Sequence, residues 1–99
     1  MTDAGAMRWS GTIAAGAEQT FATPTVVAGT YTVTMTGTGD ADLYVQIGAV
    51  PTTGAFACRS FGATSNETCT VTLTTARTVN VLVKGSAATS SFTVTVERR

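Results

Sequence analysis

Histidine is absent from this 99-residue chain, lysine occurs once, at Lys84, and charged residues make up only 12% of it. Each shortage removes a class of function. Without histidine, and with no Ser or Cys in a nucleophile motif, the usual machinery for proton transfer and acyl transfer is missing. The nearest carboxylates, Asp40 and Asp42, are too close in sequence and too loop-bound for the opposed geometry of a glycosidase. The expectation is a protein with no catalytic residues, not an enzyme. The formal net charge is zero, so no basic excess collects phosphates and nucleic acid is not an expected partner. No stretch approaches the roughly 18 consecutive apolar residues of a membrane span. The opening Met1-Thr2-Asp3-Ala4-Gly5-Ala6 has neither a basic start nor an apolar run, so no signal peptide is visible in it.

What is abundant is threonine, valine, alanine and glycine, with the β-branched residues in alternating positions. That composition belongs to an all-β domain whose outer faces carry hydroxyls in place of charges. Short strands are expected at Arg8 to Ile13, Glu18 to Thr23 and Thr30 to Thr36. Another carries Leu43, Val45 and Ile47 against Asp42, Tyr44 and Gln46. The rest fall at Ala55 to Arg59, Thr68 to Thr74, Thr78 to Lys84 and Thr89 to Glu97. One side of each strand is apolar and the other rich in Thr. About eight such strands predict a two-sheet antiparallel β-sandwich of jelly-roll type. Ninety-nine residues build one core, so residues 9–99 are assigned to a single domain and residues 1–8 to an N-terminal segment. The repeated Thr-x-Thr pattern admits an ice-binding or sugar-binding array, but no fixed repeat length ties the pairs together. Threonine as a good strand former on a wet face accounts for it.

The densest information lies between Gly39 and Cys69. Asp40-Ala41-Asp42-Leu43-Tyr44-Val45 is followed by Gly48, Pro51-Thr52, Phe56-Ala57-Cys58-Arg59-Ser60-Phe61 and Asn66-Glu67-Thr68-Cys69. This run resembles the bacterial pre-peptidase C-terminal domain, a small β-sandwich appended to secreted exoenzymes. The resemblance extends from Trp9-Ser10-Gly11-Thr12-Ile13 to Phe92-Thr93-Val94-Thr95-Val96 and implies a domain without a catalytic site. Two departures stand out. Ala76-Arg77-Thr78-Val79 replaces a Gly-Thr-Tyr turn, and Gly85-Ser86-Ala87-Ala88-Thr89 lacks the aromatic of a Gly-Tyr loop. Relatives use such aromatics to grip fibrous or polymeric substrates, so an extracellular polymer is the less favoured partner.

Cys58 and Cys69 are the only cysteines. Two thiols with no histidine do not complete a structural zinc site, and their spacing is not that of a redox Cys-x-x-Cys pair. A structural disulfide is expected, and the resemblance implies it, because the matching positions are bridged in many relatives. The ring of about 12 residues would contribute roughly 3 kcal/mol and points to an oxidising final environment. Asp40 and Asp42, in a Gly-bracketed turn, could offer hard oxygens to Ca²⁺. The resemblance implies that some relatives hold calcium with this turn and N-terminal acids, for which this chain has only Asp3 and Glu18. Alternatively Asp40 caps the turn and Asp42 is solvated. Any ion would be structural, and no cofactor is required. Arg59 and Glu67 are expected to pair across the cysteine hairpin. Asn66-Glu67-Thr68 also fits a glycosylation acceptor, read as incidental in a bacterial-looking chain. Most aromatics follow core alternation; Trp9, near an edge, and Tyr44, opposite Leu43 and Val45, are the candidates for a contact surface.

Two functions remain. The favoured expectation is a free-standing structural subunit, such as a phage decoration protein or filament subunit, whose partners are copies of itself or a particle surface. The absence of a visible signal, the missing aromatics and the scarcity of edge-blunting lysine and proline support it. The alternative is the C-terminal accessory domain of a secreted bacterial peptidase or hydrolase. The expected location is extracellular or on a virion surface.

Overall fold

The computed structural model describes residues 7–60, 62, 64–86 and 88–98. Eight strands follow one another: β1 (Met7–Ala14), β2 (Glu18–Ala22), β3 (Gly29–Thr38), β4 (Ala41–Ile47), β5 (Cys58–Ser60), β6 (Glu67–Leu73), β7 (Val79–Gly85) and β8 (Thr89–Arg98). No helix long and apolar enough to cross a membrane occurs among the described residues. The strands form two four-stranded sheets, ordered β1-β8-β3-β6 and β2-β7-β4-β5, with every ladder antiparallel. Consecutive strands alternate between the sheets except at β4 to β5, the winding of a jelly roll.

Alternation determines what is buried. Tyr31, Val33 and Met35 of β3 turn inward with Val94 and Val96 of β8 and Val71 and Leu73 of β6. They meet Leu43 and Val45 of β4 and Val79, Val81 and Val83 of β7 from the opposite sheet. Most of these side chains are 0% exposed, and each contributes about 1.5–3 kcal/mol on leaving water. The outer face of the first sheet carries the threonines, matched across strands as Thr34 with Thr68 and Thr95, and Thr32 with Thr70.

Three differences from the expected strands have local causes. β1 begins at Met7, which pairs with Val96, so the sheet reaches into the expected N-terminal segment 1–8. The strand expected over Ala55 to Arg59 shrinks to Cys58–Ser60. Pro51 is buried, and Thr52 and Ala55 close a tight turn on each other, so the ladder to β4 starts only at Cys58. β7 is buried on both faces along most of its length. Its Leu82 lies beside Tyr44 on the outer side of the second sheet, and both are nearly inaccessible.

Candidate functional site

The chemistry gathers at one corner, where the β3–β4 turn meets the hairpin between β5 and β6. Gly39 adopts φ +75°, and a Cβ there would lie 2.5 Å from the Ser90 hydroxyl, so the turn before Asp40 is suited to glycine. Buried serines hold its backbone. The Asp40 N–H donates to Ser90 Oγ at 2.9 Å. The Ala41 N–H donates to Ser65 Oγ at 2.9 Å, while the Ser65 hydroxyl donates to the Thr38 carbonyl at 2.8 Å. Ser65 and Ser90 are both 0% exposed. The Ser86 N–H donates to the Asp40 carbonyl at 2.8 Å, and its hydroxyl donates to Asp42 Oδ2 at 2.9 Å.

This framework brings Asp40 and Asp42 together with a third carboxylate, Glu67, their oxygens lying within 4.8 Å of one another. Glu67 sits on the inner face of β6, in step with Cys69, Val71 and Leu73, and is only 6% exposed. Its Oε1 accepts a short hydrogen bond from the Ser60 hydroxyl, and Oε2 accepts from the Gly62 N–H at 2.8 Å. Burial raises the Asp42 carboxyl above its usual range. The hydrogen bond from Ser86 opposes this, the charges of Asp40 and Glu67 add to it, and Arg59 opposes it again. Asp40 Oδ1 is buried with no hydrogen-bond partner. A buried acceptor left unsatisfied costs about 1–3 kcal/mol, and a hard cation would relieve it. The donor set therefore fits Ca²⁺. Of the N-terminal acids expected to assist, Asp3 lies outside the described residues. Glu18 pairs with Lys84 in the β2–β7 ladder and is not in the cluster. The third carboxylate of the cluster is Glu67. Its signal in the sequence was a carboxylate on an otherwise apolar stripe.

Cys58 and Cys69 form a disulfide that joins β5, at the edge of one sheet, to β6, at the edge of the other, with Cα atoms 5.9 Å apart. Alternation sends the two members of the expected Arg59–Glu67 pair to opposite sides. Cys58 and Ser60 face Cys69 and Glu67 on the inner side, whereas Arg59 lies opposite Tyr44 on the outer side. There its guanidinium stands 5.6 Å from the Tyr44 ring centroid and 5.9 Å from that of Phe56. Tyr44 is a correction. Phe56 packs edge-on at 5.6 Å and leaves Tyr44 4% exposed, so it is an anchor for the preceding loop and not an open contact surface. Trp9 is half-buried, stacked on Phe21 at 5.5 Å between the two sheets.

Against this geometry the relatives can be placed. The sequence signature of the bacterial pre-peptidase C-terminal domain matches residues 27–85. The chain belongs to this family. A virulence metalloprotease of Vibrio anguillarum is 41% identical over 61 residues, covering 62% of this chain and 10% of that protein. Alkaline serine exoprotease A of Vibrio alginolyticus is 49% identical over 49 residues, covering 50% of this chain and 9% of that protein. The chain thus matches about a tenth of the length of these relatives. Among solved structures, the pre-peptidase C-terminal domain of a Bacillus anthracis collagenase superposes with a TM-score of 0.67 at 6% identity, covering 92% of this chain and 88% of that one. That likeness is one of fold.

Proposed function

We propose that this chain is a non-catalytic accessory domain of a secreted bacterial peptidase, working outside the cell. One observation carries the reading: 62% of this chain is similar to a small part of a metalloprotease and 50% of it to a small part of a serine exoprotease, so the two stretches overlap. Two peptidases of different catalytic class do not share an active site, so what they share with this chain is an auxiliary part. The disulfide agrees with an oxidising location. The free-standing subunit of a phage particle or filament, favoured by composition, finds no counterpart among these relatives. An antiserum to the chain, used with mass spectrometry on the native culture medium, tests the proposal. The domain should be recovered joined to peptidase sequence or as a fragment released from it. Recovery from purified virions or filaments, without peptidase peptides, would sink it.

The acidic corner adds a structural role for Ca²⁺, favoured by the buried, unpartnered Asp40 Oδ1. Asp40, Asp42 and Glu67 would hold the ion, which would neutralise their mutual repulsion and tie β4 to β6. Saturating Ca²⁺ should raise the melting temperature in proportion to its affinity. Asp40→Asn with Asp42→Asn should abolish the shift. A shift unchanged in that double variant would remove the ion from this corner.

A further inference from the structure

The groups that orient Glu67, and one that shapes the acidic turn, belong to a single covalent ring. Ser60 and Gly62 hold the two oxygens of Glu67. Ser65 spans the acidic turn, donating to the Thr38 carbonyl and accepting from the Ala41 N–H. All of these residues, and Glu67 itself, lie between Cys58 and Cys69, which are bonded to each other. The ring therefore does two things at once: it delivers a carboxylate to the corner and braces the turn that carries the other two. Glu67 accepts two hydrogen bonds in the structure, and a carboxylate has room for about four, so its oxygens keep capacity for a metal. The oxygens of the three acids lie within 4.8 Å of one another. Ca²⁺, with contacts of about 2.3–2.6 Å, can bridge that span, whereas Mg²⁺, at about 2.0–2.1 Å, would require the acids to close in.

We propose that Glu67, presented by the disulfide-closed segment Cys58–Cys69, completes a calcium site with Asp40 and Asp42, so that the cation and the disulfide stabilise each other. The inference rests on the cation reading above and adds the segment that supplies the third ligand. Ser65 is a positioning residue for the turn. Opening the ring frees the backbone on which Glu67 and Ser65 are mounted, and binding the ion must then order that backbone again, which costs conformational entropy. Affinity for the ion falls by some factor when the bond is reduced. Linkage requires the bound ion to favour the oxidised form by the same factor.

The test uses the oxidised chain and its Glu67→Gln and Ser65→Ala variants, with Trp9 fluorescence confirming that each is folded. Calcium affinity is measured by calorimetry, and the disulfide equilibrium in glutathione buffers with Ca²⁺ or with a chelator. Glu67→Gln keeps the acceptor oxygen but loses the charge, and its affinity should fall at least tenfold with the disulfide intact. Ser65→Ala should weaken binding severalfold while leaving all three carboxylates in place. Calcium should shift the wild-type thiol–disulfide equilibrium severalfold toward the disulfide and shift that of Glu67→Gln much less. Equal affinities in wild type and Glu67→Gln, with equal calcium effects on the disulfide, would overturn the role of Glu67 and leave the Asp40–Asp42 site standing. No calcium binding by the oxidised wild type would overturn both.

Discussion

The two long edges of this sandwich are closed in different ways. Between β1 and β2 the gap is filled by rings: Trp9 stacks on Phe21 at 5.5 Å, and Phe21 leans on Phe92 at 5.9 Å. A polar stitch, from the Gln19 amide to the Thr12 carbonyl at 2.8 Å, accompanies them. Between β5 and β6 the closure is covalent and ionic, made by the Cys58–Cys69 bond and the Ser60–Glu67 hydrogen bond. The aromatic edge depends mainly on contact area, and its rings carry no thiol or carboxylate to answer to redox state, pH or ions. The other edge depends on all three, because its parts are a disulfide and carboxylates. A domain that leaves a reducing compartment for an oxidising one gains stability at the second edge only. That asymmetry agrees with the exported accessory role proposed above.

The largest effect should follow from opening the covalent edge. Cys58→Ser with Cys69→Ser should cost about 3 kcal/mol in urea unfolding, the value expected for a ring of this size. Trp9→Ala should cost somewhat less, about 2 kcal/mol, because the half-buried indole loses only part of the 3–5 kcal/mol of a fully buried aromatic. The two edges share no residues, so the combined variant should lose the sum to within about 0.5 kcal/mol. A large departure from additivity would mean that the edges are one cooperative structure, and the comparison would fail.

Much of this was legible in advance, for reasons that differ along the chain. β3 alternates Tyr, Val and Met with Thr from Thr30 to Thr36, and β8 alternates Phe and Val with Ser or Thr from Ser91 to Val96; period two is a local property that survives any tertiary arrangement. The fate of Tyr44 was not local. Its face would be wet in an isolated sheet, and it is dry because Phe56, twelve positions on, folds back over it. Arg59 and Glu67 came out on opposite sides because proximity to a disulfide says nothing about which face a side chain leaves from. β5 and β6 bond through Cys58 and Cys69, and alternation then sends Arg59 outward and Glu67 inward. Asp40 and Asp42 were visible as a pair because three positions of sequence hold them. Glu67, twenty-five positions beyond Asp42, joined them only once the two sheets were stacked.

The ionic edge should also respond to pH in the absence of metal. Asp42 has a raised pKa in the folded chain, first through burial and then through Asp40 and Glu67. A carboxyl raised on folding binds more protons in the native state than in the unfolded one. Its contribution therefore falls as pH rises, from the ordinary Asp value through the raised folded value. Chelated protein should lose some stability across that window, and Asp42→Asn should remove that part of the loss. In chelator at neutral pH the same variant should be slightly more stable than wild type. An Asp42→Asn profile parallel to that of wild type would show that the acids are solvated well enough not to interact, and the ionic character assigned to this edge would be wrong.

The smallest effect separates the two faces of β5. Arg59 lies over the rings of Tyr44 and Phe56 on the outer side, and a cation–π contact of this kind is worth about 0.5–1 kcal/mol near a surface. Glu67 lies on the inner side of the neighbouring strand, bonded to Ser60 and Gly62. Two double-mutant cycles read the difference. Arg59→Ala with Tyr44→Leu should give a coupling of about 0.5 kcal/mol or more, because the leucine keeps bulk and loses the ring. Arg59→Ala with Glu67→Gln should give a coupling near zero, within the roughly 0.3–0.5 kcal/mol scatter of independent sites. The Arg59–Tyr44 coupling should survive high salt better than a surface ion pair would, since the ring carries no net charge for counter-ions to screen. A strong, salt-sensitive coupling between Arg59 and Glu67 would put both side chains on one face, and the division between an inner ionic closure and an outer aromatic one would have to be abandoned.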